Sequence, residues 1–155
     1  MSKTEFPLYE EEDITYHFED VEFEFLNKPI LNSWLKSSVS SKEKKLGFLN
    51  FIFCTDNYLH KMNVDYLNHD TLTDVITFSY ADDRIEGDIF ISIDRIKENA
   101  TDLNISFDNE LHRVMIHGVL HLLGFKDKTK EDKDLMTKNE NENLAILNGM
   151  ILDKN

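Results

Sequence analysis

The residues with the clearest chemical potential run from His117 to Asp127, His-Gly-Val-Leu-His-Leu-Leu-Gly-Phe-Lys-Asp, an HxxxHxxGxxD spacing. On a helix, side chains four apart share a face with Cβ atoms roughly 5–6 Å apart, so the imidazoles of His117 and His121 can converge on one cation. Gly124 can adopt the left-handed conformation that ends a helix and reverses the chain, which lets Asp127 point back at the two rings. Imidazole and carboxylate donors suit zinc, and three protein ligands leave one tetrahedral position for water or substrate, as in catalytic sites. An isolated HxxxH pair more often marks two packed or hydrogen-bonded histidines; the glycine and the third donor tip the reading toward a metal. The intervening residues are apolar on nearly every side, so histidines buried among them need partners, and one cation satisfies both.

Neighbouring residues narrow the chemistry. Gly118 stands where zinc peptidases of the HExxH class carry their glutamate base, which disfavours ordinary peptide hydrolysis. A mid-helix glycine costs about 1 kcal/mol relative to alanine, so Gly118 serves close packing or leaves space beside the metal. Glu110, Arg113, His117 and His121 follow at spacings of three, four and four, along one helical stripe. Arg113 can therefore face the metal pocket, although an i, i+3 ion pair with Glu110 is the simpler role. Glu110 is a weak candidate for a general base, since acidic residues in a first turn are ordinarily favoured by the helix dipole. Lys126, Lys128 and Lys130 alternate beside the third donor, where a phosphate-bearing substrate would need cations.

The elements that must position these groups read as an α+β fold, a small mixed sheet of about four strands with about five helices, in a single domain spanning 1–155. Ile14, Tyr16 and Phe18, then Val21, Phe23 and Phe25, alternate with polar positions and predict one strand or two. Pro29 opens a helix through Ile30, Leu31, Trp34 and Leu35 that fades into the serines at 37, 38, 40 and 41. Phe48 to Cys54 reads as a buried strand, and Thr55 caps a helix whose Leu59, Met62, Asn63 and Tyr66 share a face. Residues 73–78 and 87–93 are strand-like, with a charged loop between them. Asp94 caps a short helix to about Leu103, a second helix runs from Phe107 to Leu123, and Thr129 with Asp132 opens a last, mostly polar helix ending near Asn148.

Composition sets outer bounds. The 155 residues, 41% hydrophobic, suffice for one core. A net charge of −13 excludes generalised polyanion binding through a basic surface, so any nucleic-acid contact must be local. Nine acidic side chains crowd the first 26 residues, where an export signal would need a basic end and an apolar run. No stretch approaches the roughly 18 apolar residues of a membrane span. The lone Cys54, in an apolar run, reads as a silent buried thiol in a reducing cytoplasm, so a soluble protein without membrane contact is expected.

With these residues in place, HGVLHLLGFKD resembles the HGxLHLxGYDH motif of the YbeY family of ribosomal-RNA maturation endoribonucleases. Thr73-Asp74-Val75-Ile76-Thr77-Phe78 is similar to that family's TDVLSF segment, Gly87-Asp88-Ile89 to its GDI strand, and Glu110-Leu111 to the start of its metal helix. The resemblance spans about residues 63 to 127. It implies a zincin-like metal helix and metal-dependent cleavage of single-stranded ribosomal RNA or its precursors, in ribosome maturation and quality control. Two positions depart from the family: Asp127 stands for its usual histidine, and Leu67, in Met62-Asn63-Val64-Asp65-Tyr66-Leu67, for the arginine of its LNxxYR segment. The leading expectation is a zinc ion held by His117, His121 and Asp127 that activates water or polarises a phosphoryl oxygen. Lys61, Arg113 and Lys126 are candidate phosphate contacts, and Thr73 and Asp74 candidates for the border of the cleft. Two competing expectations are a ribosome-associated protein whose metal only secures the fold, its acidic surface recruiting a basic protein of the small ribosomal subunit, and a zinc peptidase.

Overall fold

Strands that must be buried on both sides lie at the centre of a sheet, and the two most apolar segments do so. In the computed structural model, which describes residues 13–67 and 73–154, β2 (Leu46–Cys54) and β4 (Ile85–Ser92) pair in parallel at the middle of a four-stranded sheet. β1 (Ile14–Phe18) flanks β2 in parallel, and β3 (Val75–Ser79) closes the other edge antiparallel to β4, giving the order β1-β2-β4-β3. The helices are α1 (Lys28–Ser41), α2 (Asp56–Leu67), α3 (Ile93–Leu103), α4 (Phe107–Leu122) and α5 (Lys130–Lys154). Among the described residues, five helices and a mixed four-stranded sheet are the expected α+β architecture.

Strand alternation divides the interior. Leu49, Phe51, Phe53, Ile89 and Ile91 point to the main core with Trp34 of α1 and Val114, Met115 and Val119 of α4. Cys54 and Ile76 point the other way, to a small cluster with Leu59 of α2. Burial pushes the Cys54 thiol up to about 12, so it is chemically quiet at neutral pH.

Several local expectations are corrected. Only Ile14–Phe18 is strand: pairing ends at Glu19, whose N–H reaches the Phe53 carbonyl at 2.8 Å, and Asp20 then takes a positive φ of 58°. Phe23 and Phe25 nonetheless return to the core, their ring centroids each 5.3 Å from that of Phe53. The serine cluster stays helical because Ser38 is buried and its hydroxyl donates to Asn143 Oδ1 at 2.6 Å. Tyr66 does not join the buried face of α2 but is 71% exposed. Ser92, not Asp94, caps α3, its Oγ accepting the Arg95 N–H. The helix α5 continues past Asn148 because Leu147 is buried and Met150 and Ile151 pack on the core. Thr129 and Asp132 form the expected reciprocal cap: the Asp132 N–H donates to Thr129 Oγ1 at 3.0 Å and the Thr129 N–H to Asp132 Oδ2 at 3.5 Å. No described helix is long and apolar enough to cross a membrane.

Candidate metal centre

The position of α4 is set by its glycine. A Cβ on Gly118 would lie 2.8 Å from Ile89 Cγ2, so only glycine lets the helix settle this closely on β4. His117 and His121, on either side of that contact, face the edge strand β3. At the end of α4, Gly124 has φ 103°, and the Phe125 N–H returns to the Leu120 carbonyl at 3.0 Å. That reversal brings Asp127 back over the helix.

The three predicted donors meet. Asp127 Oδ2 lies 3.2 Å from His121 Nε2 and 3.4 Å from His117 Nε2, and one donor atom from each residue lies within 4.8 Å of the others. Each imidazole is oriented from its far side. His121 Nδ1 donates to the Phe125 carbonyl at 3.0 Å, which only accepts, and His117 Nδ1 donates to Glu140 Oε2 at 2.5 Å. With both Nδ1 atoms protonated, both Nε2 atoms present lone pairs to Asp127. With both rings neutral, three acceptors thus face one another with no donor hydrogen between them, an arrangement relieved by a cation or by a proton on His117. Two imidazole nitrogens and a carboxylate oxygen are a donor set suited to zinc or a similar divalent ion. The His117 pKa reflects two opposed influences: burial, the largest, pushes it down, but Glu140 by hydrogen bond and charge, aided by Asp74 and Asp127, holds it above its ordinary value.

Glu140 is the residue that motif reasoning misses. It lies on α5, only 4% exposed, and accepts from Arg113 Nη1 at 3.2 Å as well as from His117. Arg113 also makes the expected pair with the fully buried Glu110, Nη2 to Oε2 at 2.6 Å and Nε to Oε1 at 2.8 Å. The hydrogen bond to Glu110 and the two carboxylate charges raise the Arg113 pKa, keeping the guanidinium charged. A signal for Glu140 does exist in the sequence: Met136, Glu140, Asn143 and Leu147, spaced four, three and four, form the buried stripe of α5, and a carboxylate on such a stripe needs a partner.

A cavity of about 430 Å³ opens beside the three donors and is lined also by Thr73, Asp74, Thr77, Asn63 and Leu67. Thr73 and Asp74 line this cleft. Arg113 does not line it and is occupied by two carboxylates; Glu110, enclosed with Arg113 and Asn99, is withdrawn from it and unsuited to act as its base. Lys61 lines a different cavity, and Lys126 is exposed beside Asp127. Leu67 borders the cleft at the position where the resemblance implies an arginine.

The fold and the sequence have counterparts in known proteins. The solution structure of TM1509 from Thermotoga maritima superposes with a TM-score of 0.63 at 23% identity, covering 91% of this chain and 93% of that one. The Endoribonuclease YbeY of Flavobacterium johnsoniae is 48% identical over 134 residues, 86% of this chain and 96% of that protein. That of Amoebophilus asiaticus is 52% identical over 130 residues, 83% of this chain and 88% of the other. A family model described as Endoribonuclease YbeY matches residues 10–148, a span that includes the metal helix, the reversal at Gly124 and the Glu140 that braces it, and the chain belongs to that family.

Proposed function

We propose that this chain is a metal-dependent endoribonuclease, a single domain that cleaves single-stranded ribosomal RNA or its precursors in the cytoplasm, with zinc held by His117, His121 and Asp127. The observation that carries the reading is the convergence of two Nε2 lone pairs and an Asp127 oxygen at an open cleft, in a chain whose relatives are named endoribonucleases. A bound ion of this kind supplies Lewis acidity toward a phosphoryl oxygen and acidifies water. The rest falls to the chain. Glu140 keeps His117 Nδ1 protonated and the ring aimed, while Arg113 holds Glu140 rather than substrate. Thr73 and Asp74 border the scissile region, and Lys126 offers a cation beside Asp127. Leu67 gives the cleft an apolar wall, so any side-chain cation that meets the transition-state charge must come from another position.

Peptide hydrolysis is disfavoured on geometric grounds, because position 118 is packed against Ile89 and has no room for a glutamate base. With a net charge of −13, recruitment to a basic protein of the small ribosomal subunit is the route we assign for bringing RNA to the cleft.

The test is cleavage of a single-stranded ribosomal-RNA fragment by the full chain, with metal content measured in parallel. His117→Ala and His121→Ala are expected to lose both metal and cleavage with circular dichroism unchanged. Asp127→Ala loses metal, whereas Asp127→His retains it. Zinc-loaded protein that leaves RNA intact would reduce the ion to a structural role, and unchanged metal in Asp127→Ala would remove that residue from the ligand set.

A further inference from the structure

Across α2 from the metal cleft lies a second cavity of about 520 Å³, within the roughly 300–1,000 Å³ of small-ligand sites. Five aromatic rings line it, those of Tyr58, Tyr66, Phe78, Tyr80 and Phe90, together with Lys61 and the carboxylates of Asp65 and Asp88. Two of the rings are open to solvent, Tyr66 at 71% and Tyr80 at 56%. Tyr80 is nonetheless fixed, its hydroxyl donating to Asp88 Oδ2 at 2.7 Å and its ring stacked on Phe48 at 6.2 Å. Asp88 is fixed in turn by Asn50 Nδ2, which donates to its Oδ1 at 2.9 Å. Each of these oxygens retains further acceptor capacity. Lys61 has no carboxylate partner among the described residues.

The cavity and the cleft share two elements. On α2, Asn63 and Leu67 line the cleft while Met62 and Tyr66, one position earlier, line the cavity. On the edge strand, Val75–Thr77 border the cleft, and Phe78 with the following Tyr80 the cavity. The separation is therefore about one helix width, roughly 10–12 Å. In a chain of net charge −13, affinity for a polyanion must come from stacking and from local cations rather than from the overall field.

Building on the endoribonuclease reading, we propose that this cavity is a nucleobase subsite for the single strand that crosses the metal cleft. A base stacks against the Tyr66 and Tyr80 rings, Lys61 meets a neighbouring phosphate, and Asp88 accepts from an exocyclic amino group. Adenine, cytosine and guanine carry such a group. Uracil's only ring N–H on its pairing edge lies between two carbonyl oxygens that oppose the carboxylate, so uracil is disfavoured.

The experiment uses the zinc-loaded full chain, with binding of fluorescein-labelled 2′-O-methyl decamers of A, C and U read by anisotropy, and KM and kcat measured on RNA. The A and C decamers are expected to bind more tightly than U. Tyr66→Ala should raise Kd and KM roughly tenfold at unchanged kcat, the loss of one base–aromatic stack. Asp88→Asn should narrow the preference over U, and Lys61→Ala should flatten the salt dependence of binding. If Tyr66→Ala and Tyr80→Ala bind and cleave as the unaltered protein does, the subsite is overturned while the endoribonuclease reading stands. If the unaltered protein neither binds nor cleaves RNA, both are overturned.

Discussion

The two faces of the sheet are built to different standards of closure. Under α4 and α5 the interior includes charged groups, with Glu110 fully enclosed and Glu140 nearly so, each bonded to Arg113. Over the other face, in contact with α2, only Cys54, Leu59 and Ile76 among the described residues form a buried apolar cluster, and Asn50 and Asp88 form a polar row that stays partly open. The closed face orients the donors of a metal centre, because hydrogen bonds among buried groups hold a ring in one tautomer and one direction. The open face leaves aromatic and charged groups accessible to a ligand.

Four substitutions or conditions can break or sharpen that contrast. The largest effect is expected for Glu140→Ala, which removes one of the two carboxylate partners of Arg113 and releases the His117 ring. A stability loss of about 2–3 kcal/mol in urea unfolding is expected, at the low end for a buried pair because the Arg113 side chain is 30% exposed. Zinc affinity by competition titration should fall about 10–100-fold. Unchanged zinc affinity in this variant would mean that the second hydrogen bond does not aim His117.

Gly118→Ala comes next, since the new methyl must displace Ile89 or lift α4 from β4. A cost of about 1–3 kcal/mol is expected, seen as a lower Tm. An unshifted Tm would show that the closed face yields more easily than its packing implies.

The pH response is smaller and changes sign with metal. In the metal-free protein the folded-state pKa of His117 is raised above its ordinary 6.5, so its stabilising contribution is complete below that value and is lost as pH rises through the folded pKa. Bound metal requires the neutral imidazole, so loaded protein should instead lose stability on acidification. Buried His112, its pKa lowered, contributes in the opposite sense to metal-free His117. The difference between the unaltered protein and His117→Gln, each unfolded in urea from pH 5 to 8, isolates the His117 contribution; a difference that grows with pH in the metal-free state would contradict this assignment.

Least of all should Tyr66→Ala alter stability, within about 0.5 kcal/mol, because its ring is mostly in solvent. A large drop in Tm would show that the open face is held together by that ring rather than offered to a ligand.

Legibility followed the range of the interactions involved. The metal-donor cluster could be anticipated from the chain because its groups lie within eleven consecutive residues and are joined by a helix and a glycine reversal, both local devices. The caps at Thr55 and Thr129 were readable for the same reason. Alternation placed the strands but could not tell that Val21, Phe23 and Phe25 leave the sheet, because packing side chains and pairing backbones produce the same pattern.

What the chain alone determined is thus the set of donors, their spacing and the α+β order of elements, since each depends on residues within a turn or a strand of one another. Only the tertiary structure decided that Glu140, 23 residues from His117, sets the tautomer of that ring, that Arg113 serves this carboxylate rather than the cleft, and that Lys61 belongs to a separate aromatic cavity. Such partners are chosen by how helices pack across the sheet, and a distance in sequence carries almost no information about a distance in space once the chain has turned several times.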